Sequence, residues 1–136
     1  MTLILKKHDA DAIMDHCFAV YPTEACGIIV GRREDEHKIV ERVLPTRNIL
    51  NSTSAYQVDP EEQYRAFLEA EAAGLEVLGF YHSHPYWTAE PSHVDKAQAH
   101  YPDHSYLIYS VPEKRLKSFI FLGGEFHSEP LEIIEN

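Results

Sequence analysis

The hydrophobic pattern predicts a helix near the start of the chain. Apolar residues recur at spacings of three and four between Asp9 and Tyr21, which places them on one face of a helix, and Pro22 ends the repeat. We therefore expect a helix over Asp9–Tyr21 with a single buried stripe. The stripe comprises Ala10, Ile13, Met14, Cys17, Phe18 and Tyr21.

A second helix is predicted from Asp59 to Ala73 by its end signals. Asp59 is a natural cap, Pro60 suits the first helical position, and Glu62 can reach back to complete a capping box. Gly74 can supply the left-handed residue that ends the helix. The apolar stripe of this helix is expected to comprise Tyr64, Phe67 and Leu68.

Short runs of β-branched and aromatic residues predict the strands. Glu24–Gly31 alternates little, as expected of a strand buried on both faces, and Lys38–Leu44 follows a polar turn as its antiparallel partner. The run from Leu75 to Phe80 predicts another buried strand, which continues to His84. The remaining expectations are a loop over Pro45–Ala55, a candidate short strand at Tyr56–Val58, a short helix from Asp95 to about Ala99, strands at Ser105–Val111 and Leu116–Leu122, a turn at Gly123–Gly124 and an extended segment over Glu125–Ile134.

The composition is that of one globular domain. With 136 residues, 44% hydrophobic and 25% charged, the chain can bury a core and has no room for a second domain. It contains no internal repeat and no low-complexity stretch. We expect an α/β fold, a single domain over residues 1–136. Its mixed β-sheet should carry the first helix on one side and the second on the other, with the functional site at one edge.

Charge and apolar content exclude several classes of function. A net charge of −10 disfavours binding to nucleic-acid phosphates or anionic membranes, although it permits a basic protein partner. The apolar run at Met1–Leu5 is too short for a signal peptide, and no stretch approaches the ~20 apolar residues that span a bilayer. These features predict a cytoplasmic protein without nucleic-acid or membrane partners, in which Cys17 and Cys26 are buried free thiols.

Candidate chemistry concentrates at the end of the strand that leads to His84. A strand has a side-chain period of two, so the imidazoles of His82 and His84 project from one face while Ser83 points to the other. Pro85 then ends the strand because it has no N–H to donate. Two imidazoles on one face can reach a single metal ion.

Asp95 is the predicted third ligand. Ser92 is a natural helix cap, and Asp95 lies three residues further on, over the same helix surface. Two imidazoles, one carboxylate and a water make the open four-coordinate arrangement of a catalytic zinc. Each part has a plainer interpretation, since His-x-His pairs are often solvated and Ser-x-x-Asp is often only a cap. The combination favours a zinc site formed by His82, His84 and Asp95.

Glu24 stands at the start of a predicted buried strand, where an acid is costly unless it is paired, hydrogen-bonded or protonated. Either it is an exposed acid just before the strand or it has a function, and the metal pattern downstream favours catalysis. Cys26, two residues further on, lies on the same face of the strand as Glu24 and is either a further ligand or a small core residue. The other histidines are expected at the surface or in caps, although His93 could replace a predicted ligand. They are His93, His100, His104 and His127.

At these positions the chain resembles a known family. His82–Pro85 reads His-Ser-His-Pro, and Ser92-x-x-Asp95 follows after six residues. Together with Glu24 upstream, this is similar to the signature of the JAMM (MPN+) metalloproteases, a class that includes zinc-dependent deubiquitinating isopeptidases. The resemblance covers nearly the whole chain and is greatest to the small prokaryotic members. It implies an MPN/JAMM architecture of the cytidine deaminase-like kind.

The resemblance implies a zinc peptidase. Glu24 would act as general base toward an activated water, and Ser92 would donate to the oxyanion, a role that competes with capping its helix. The implied substrate is an amide or isopeptide bond after the C-terminal Gly-Gly tail of a ubiquitin-like protein, a group that includes the prokaryotic sulfur carriers. Such a tail would add along an exposed strand edge, with Gln57 and Val58 or the turn Pro85–Pro91 as walls.

Two other classes of function stay open at this point. A non-catalytic MPN scaffold is the main alternative, although such scaffolds usually lack a ligand position and this chain has all of them. A nucleic-acid protein of related fold is opposed by the acidic charge. With 136 residues there is little room for the insertions by which larger deubiquitinases grip ubiquitin, so we do not expect ubiquitin itself as a substrate without a partner. The sequence leaves a homo-oligomer open.

Overall fold

The chain folds into eight strands and three helices. The structure is a computed structural model and describes residues 1–136. In chain order the elements are β1 (Thr2–Lys6), α1 (Lys7–Ala19), β2 (Cys26–Glu34), β3 (His37–Thr46), α2 (Pro60–Ala72), β4 (Glu76–His84), α3 (His93–Gln98), β5 (Ser105–Ser110), β6 (Arg115–Leu122), β7 (Glu125–Glu129) and β8 (Leu131–Ile134). None of the helices is both long and apolar enough to cross a membrane.

All eight strands form one mixed sheet in the order β7-β6-β5-β4-β2-β3-β1-β8. β2 and β3 make the predicted antiparallel hairpin, and β4 and β5 run parallel. β7 and β8 lie at opposite ends of this order, yet only Pro130 separates them in the chain. Because two peptide units span at most about 7 Å, the sheet must curl until its edges approach each other. The Pro130 carbonyl accepts the Leu3 N–H at 2.9 Å, which ties the connection between β7 and β8 to β1.

Helices cover both faces of the sheet, as predicted. α1 packs on one face through three small or branched residues, and α2 packs on the other through two alanines. Successive residues of β2 point alternately into the two cores, so this strand needs apolar residues at nearly every position. The core beneath α1 includes Ala10, Ile13, Cys17, Leu3, Ile29 and Tyr81, and the core beneath α2 includes Ala66, Ala70, Cys26, Ile28 and Phe80.

The inner face of α2 differs from the predicted stripe. Ala66 and Ala70 are buried, whereas Tyr64 is 65% and Leu68 is 49% exposed. Small side chains let the helix backbone come close to the sheet, which leaves the larger apolar residues, including Phe67, on the flank of the helix. The apolar pattern therefore marked the wrong face of a correctly predicted helix.

The end signals of α2 are mostly confirmed. The Asp59 carboxylate accepts the Glu61 N–H at 2.9 Å, and Gly74 adopts a left-handed φ of +71°. Glu62 does not complete a capping box, because its Oε1 accepts the N–H of Arg47 at 3.1 Å. That bond ties the helix to the end of β3 instead.

α1 spans Lys7–Ala19 rather than the predicted Asp9–Tyr21, and its buried stripe is narrower than expected. Phe18 and Tyr21 are about half exposed. The helix follows β1 without an intervening turn and has no side-chain cap. β1 itself was not predicted, because a five-residue run flush against a helix carries no turn signal.

Other boundaries depend on strand pairing. β2 continues to Glu34, so the predicted polar turn shrinks to two residues, with Asp35 at a φ of +56°. Tyr56–Val58 is not a strand and contributes only one isolated bridge. The segment Glu125–Ile134 divides into β7 and β8, whereas β5 and β6 lie within one residue of their predicted bounds.

The expected functional stretch lies inside the sheet and not at its edge. β4 pairs with β2 on one side and with β5 on the other, so the site forms over the end of an interior strand. β2 runs antiparallel to β4 with Cys26 opposite His82. The chain just before β2 is therefore brought beside the end of β4.

Candidate metal centre

His82 and His84 form the floor of the site. They end β4 on one face, as the strand period predicts, and their Nε2 atoms are 3.1 Å apart. Both side chains are almost completely buried. Ser83 points to the other face, where its Oγ accepts the Ala25 N–H at 2.8 Å and its own N–H donates to the Ala25 carbonyl at 3.1 Å. β4 therefore presents two imidazoles while it anchors the segment before β2.

Asp95 meets the two imidazoles from the first turn of α3. Its Oδ1 is 3.1 Å from His82 Nε2, and its Oδ2 is 2.9 Å from His84 Nε2. A capping box holds the carboxylate, since Oδ2 also accepts the Ser92 N–H at 2.9 Å. The structure thus brings the three predicted ligands together as a buried cluster that could hold a metal ion.

The distances between these ligand atoms suit a metal ion with tetrahedral coordination. Ligand bonds of about 2.0–2.1 Å at tetrahedral angles place ligand atoms about 3.3 Å apart. The separations here are 2.9–3.1 Å. Two nitrogens and one carboxylate leave a fourth position open for water or substrate. The residues therefore fit a divalent metal ion with one open coordination position.

Neighbouring residues orient both imidazoles. The Nδ1–H of His84 donates to the Thr88 carbonyl at 2.6 Å, which leaves the Nε2 lone pair directed at the cluster. Tyr56 stacks on His82, with ring centres 4.4 Å apart and planes 22° apart. His82 Nδ1 is buried without a protein partner. The turn after β4 and the loop before α2 thus share the task of holding the ligands.

Mutual attraction sets the charge of the cluster. Burial acts to raise the pKa of Asp95, but the neighbouring imidazoles and hydrogen bonds hold that pKa well below its usual range. Burial acts to lower the pKa of His84, yet its bonds to Asp95 and to the Thr88 carbonyl raise it overall. Asp95 is therefore an anion at neutral pH, as a metal ligand must be, and protons compete with a metal ion for His84.

Glu24 faces the site from the segment before β2. It is 3% exposed, and its Oε1 has no hydrogen-bond partner. Burial raises its pKa to about 7, with His82 and His84 opposing the rise and Asp95 adding to it. The predicted strand start at Glu24 is wrong, because β2 begins at Cys26, and the alternative of an exposed acid is wrong as well. A carboxyl group that titrates near neutrality suits proton transfer.

Ser92 caps α3 and still keeps a free proton to donate. Its Oγ accepts the Asp95 N–H at 3.1 Å. This bond uses a lone pair of the hydroxyl, whereas the O–H proton stays available to another acceptor. The competition between capping and donation that the sequence suggested therefore does not arise.

Glu24, His84 and Ser92 line one cavity of about 360 Å³. Its rim is aromatic, with Tyr86 and Trp87 each 61% exposed. A neighbouring cavity of about 720 Å³ is bordered by Tyr56, Gln57, Val58, Phe67, Tyr101 and Tyr106. Of the two predicted walls, the turn after β4 therefore borders the metal cluster directly, and the segment before α2 borders the larger space beside it.

The remaining candidate residues lie outside the ligand cluster. His93 sits on the rim of the smaller cavity but is exposed, and His100 and His127 are exposed elsewhere. Cys17 and Cys26 are buried free thiols, as predicted. Burial raises the pKa of the Cys26 thiol to about 11, which makes it an inert core residue.

Sequence reasoning missed two residues that shape the site. Tyr56 was assigned to a candidate short strand and not to the wall of His82, and Asn48 was placed within the loop Pro45–Ala55 without a role of its own. No local pattern marks either residue, because the contacts that bring them to the site, Tyr56 with His82 and Asn48 with Glu24, join segments that lie far apart in the sequence. In the structure, Asn48 differs from an ordinary loop asparagine because it is only 6% exposed and its amide bonds to the distant Glu24 carbonyl.

Comparison with known proteins identifies the family. Residues 6–121 match the family of prokaryotic homologs of the JAB domain. The chain belongs to this family. The match confirms the JAMM/MPN resemblance that the site residues carried, and with it the mixed sheet flanked by helices.

Several similar proteins match most of the chain. The desampylase of Haloferax volcanii is 36% identical over 106 residues, which cover 77% of this chain and 74% of that protein. The CysO-cysteine peptidase of Mycobacterium tuberculosis is 29% identical over 136 residues, 98% of this chain and 92% of that protein. The solution structure of a protein from Desulfitobacterium hafniense superposes with a TM-score of 0.90 at 35% identity, over 100% of this chain and 94% of that one.

Proposed function

We propose that this chain is a zinc-dependent peptidase or isopeptidase that hydrolyses the amide bond after the C-terminal Gly-Gly tail of a ubiquitin-like or sulfur-carrier protein. The observation that carries the proposal is the convergence of His82, His84 and Asp95 beside the buried, unpartnered carboxyl of Glu24. The relatives named desampylase and CysO-cysteine peptidase support hydrolysis of such a bond. The two free thiols support a location in the reducing cytoplasm.

His82, His84 and Asp95 would hold the zinc ion. Two neutral imidazoles and a carboxylate suit zinc and leave it an open position. When bound, zinc supplies Lewis-acid polarisation of a carbonyl and activation of water near neutral pH. The Thr88 carbonyl fixes the His84 tautomer that this requires.

Glu24 would move the proton. Its carboxyl is free of other partners and lines the cavity that also holds Ser92. Because its pKa lies near neutrality, it can take a proton from the attacking water and then deliver it to the leaving amine. The O–H of Ser92 would donate to the oxygen on which negative charge develops.

A glycine tail is the part of the substrate that we propose to enter this cavity. Glycine has no Cβ, so its backbone can come close to buried ligands where another residue would clash. Thr53 and Ser54 of the loop before α2 and Tyr86 and Trp87 of the turn after β4 all border the cavity. We propose these two segments as the walls between which the extended tail lies.

The non-catalytic scaffold is the weaker alternative. A scaffold has no use for a complete set of ligands, nor for an acid that is buried without a partner at a cost to stability. Metal content and turnover separate the two functions.

The test is cleavage of a ubiquitin-like domain joined through Gly-Gly to a reporter protein, measured together with zinc content. Zinc-loaded wild-type protein should release the reporter, and Glu24→Gln should keep its zinc while kcat falls by at least about 10²-fold. Glu69→Gln is the matched control, because Glu69 of α2 is an exposed acid that pairs with Arg42 outside the cluster. Absence of cleavage by zinc-loaded wild type, across fusions of ubiquitin-like and sulfur-carrier type, would reject the proposed function.

A further inference from the structure

Asn48 is a buried side chain whose amide is completely hydrogen-bonded. It follows β3 and opens the loop that leads to α2. Its Nδ2 donates to the carbonyls of Glu24 at 3.1 Å and Ala55 at 3.0 Å. Its Oδ1 accepts the N–H groups of Leu50 at 3.0 Å and Gln57 at 3.1 Å. With two donors and two acceptors engaged, the side chain has no remaining capacity.

These four partners fix the orientation of the amide. Two carbonyls face one end of the side chain, and two N–H groups face the other, so the reverse assignment of oxygen and nitrogen would oppose like groups at every contact. The group is also too buried for water to replace a lost bond. It therefore joins backbone segments that come from three different parts of the loop and from the chain before β2.

One of these segments carries the proposed general base. The Glu24 carbonyl is held by Asn48, and the Glu24 N–H donates to the Ser52 carbonyl at 2.8 Å. The next residue, Ala25, is bonded to Ser83 through both its N–H and its carbonyl. The backbone at Glu24 is thus held between the loop on one side and the ligand strand on the other.

Another segment carries the aromatic wall of the cluster. Asn48 bonds to Ala55 and Gln57, the two neighbours of Tyr56. The Tyr56 ring stacks on His82 at 4.4 Å between ring centres. The same amide therefore sets the backbone on both sides of the residue that covers a proposed metal ligand.

We propose that Asn48 is a positioning residue for catalysis, which holds the Glu24 backbone and the Tyr56 ring in fixed places around His82. It touches neither substrate nor metal and acts through the two residues that it anchors. The inference rests on the proposed function, because it assumes that Glu24 is the base. A residue that merely closed a loop would need only its bonds within the loop, whereas Asn48 spends one donor on Glu24.

Asn48→Asp tests this role because it removes the bonds that the side-chain nitrogen donates and keeps the bonds that the side-chain oxygen accepts. The substituted residue has nearly the same shape and can still accept from Leu50 and Gln57, but it turns a carboxylate oxygen toward the carbonyls of Glu24 and Ala55. We expect kcat to fall by about 10²-fold, as displacement of a catalytic group does, while KM stays within about twofold and zinc stays bound. Retention of kcat within about threefold, with zinc bound, would overturn the proposal.

Ser118→Ala is the matched control for a loss of stability. Ser118 is as buried as Asn48 and donates to Glu129 Oε1 at 2.7 Å, within a different hydrogen-bond network. We expect both Ser118→Ala and Asn48→Asp to unfold at a lower denaturant concentration than wild type. Ser118→Ala should nevertheless keep kcat within about twofold of wild type. An equal loss of kcat in both variants would mean that Asn48 acts only through stability and would also overturn the proposal.

A second readout does not depend on activity. In NMR spectra of the zinc-loaded protein, the stacked Tyr56 ring should shift the His82 ring protons upfield, and Asn48→Asp should remove that shift while Ser118→Ala retains it. If Asn48→Asp does not fold, the wild-type protein decides, since the Asn48 side-chain amide protons should be strongly protected from exchange. Fast exchange of these protons, or His82 ring-proton shifts in Asn48→Asp that equal those of wild type, would contradict the proposed positioning by Asn48.

Zinc-loaded wild type and Glu24→Gln are measured alongside. If wild type cleaves no substrate, the proposed function fails, and the His82 signals alone then decide whether Asn48 places Tyr56. If wild type cleaves and Glu24→Gln does not, the change in Asn48→Asp reports on positioning of the base. A failure of the proposed function can therefore be distinguished from a failure of the positioning role of Asn48.

Discussion

Glu24 carries a carboxyl group into a place where its ionised form is poorly solvated. Burial raises its pKa from an ordinary 4.5 to about 7, and its Oε1 has no partner that would offset the loss of water. A residue chosen only for stability would not be an acid here. This conflict between stability and a reactive group is typical of functional sites.

We predict that Glu24→Gln stabilises the metal-free protein at neutral pH. The folded state binds the Glu24 proton more tightly than the unfolded state does, so this group contributes most stability below pH 4.5 and loses that contribution as the pH rises to about 7. The rise in pKa corresponds to about 3 kcal/mol. Urea unfolding with a chelator present, from pH 4.5 to 8, should show the variant gaining on wild type up to about pH 7 and then levelling off.

Glu69→Gln serves as the control for this measurement, since Glu69 is an exposed acid whose replacement removes the same charge. A constant difference between Glu24→Gln and wild type across the pH range would mean that Glu24 ionises freely in the folded protein.

The ligand assignment makes a second prediction at the residue scale. His82→Ala, His84→Ala and Asp95→Ala should each reduce bound zinc far below one ion per chain, because each removes one of three convergent ligand atoms. His93→Ala and His100→Ala should bind as wild type does, since neither residue belongs to the cluster. Metal analysis of the purified variants decides. If His93→Ala loses zinc and Asp95→Ala retains it, the third ligand is His93 and not Asp95.

At the scale of elements, β4 depends on close approach to its neighbours. Gly79 pairs with Ser105 of β5, and a Cβ at Gly79 would lie 1.9 Å from the Ser105 carbonyl oxygen. A Cβ at Gly27 of β2 would meet the ring of Tyr81 at 2.1 Å. Both glycines are therefore required by space rather than by flexibility, and they allow the ligand strand to sit between β2 and β5.

Gly79→Ala should accordingly be strongly destabilising. The added methyl group meets backbone atoms, which cannot rotate away, so we expect a loss of about 3 kcal/mol or more in the free energy of unfolding. Gly124→Ala is the comparison, because Gly124 has open space around it and only a left-handed φ of +78° to disfavour alanine. That change should cost about 1 kcal/mol. Similar urea midpoints for the two variants would refute the steric argument.

At the scale of the whole molecule, a buried ion pair joins strands from distant parts of the sheet. Lys38 of β3 contacts Glu129 of β7 at 3.0 Å, and both side chains are almost completely buried. Ser105 and Ser118 donate to Glu129 Oε1 at 2.7 Å, and Lys38 also reaches Ser105 Oγ at 2.8 Å. The network is well satisfied, and it links β3, β5, β6 and β7 within the curled sheet.

We predict that Lys38→Met destabilises the fold by about 3–5 kcal/mol, because it leaves the Glu129 charge buried without its partner. The double variant Lys38→Met/Glu129→Met should be more stable than this single variant, since it removes both charges. Lys6→Met should change stability by less than about 1 kcal/mol, because the Lys6–Glu41 pair is partly exposed. Equal destabilisation of the single and double variants in denaturant titrations would contradict a coupled pair.

The sequence by itself determined the features that neighbouring residues control. The start of α2 follows from Asp59 and Pro60, and its end follows from Gly74, because caps and backbone restrictions act within a few residues. The shared face of His82 and His84 follows from the period of a strand, and Asp95 follows from the capping box that opens α3. The resemblance carried by these positions indicated the family correctly.

Tertiary structure decided the features that depend on which distant segments meet. The antiparallel register of β2 and β4 brings Glu24 beside His84, and only the packed sheet shows that Ala66 rather than Tyr64 faces inward on α2. The burial of Asn48 and the pairing of Lys38 with Glu129 also depend on contacts between distant segments. Local propensity says nothing about these contacts, because their energies arise from desolvation and close packing between segments that lie far apart in the sequence.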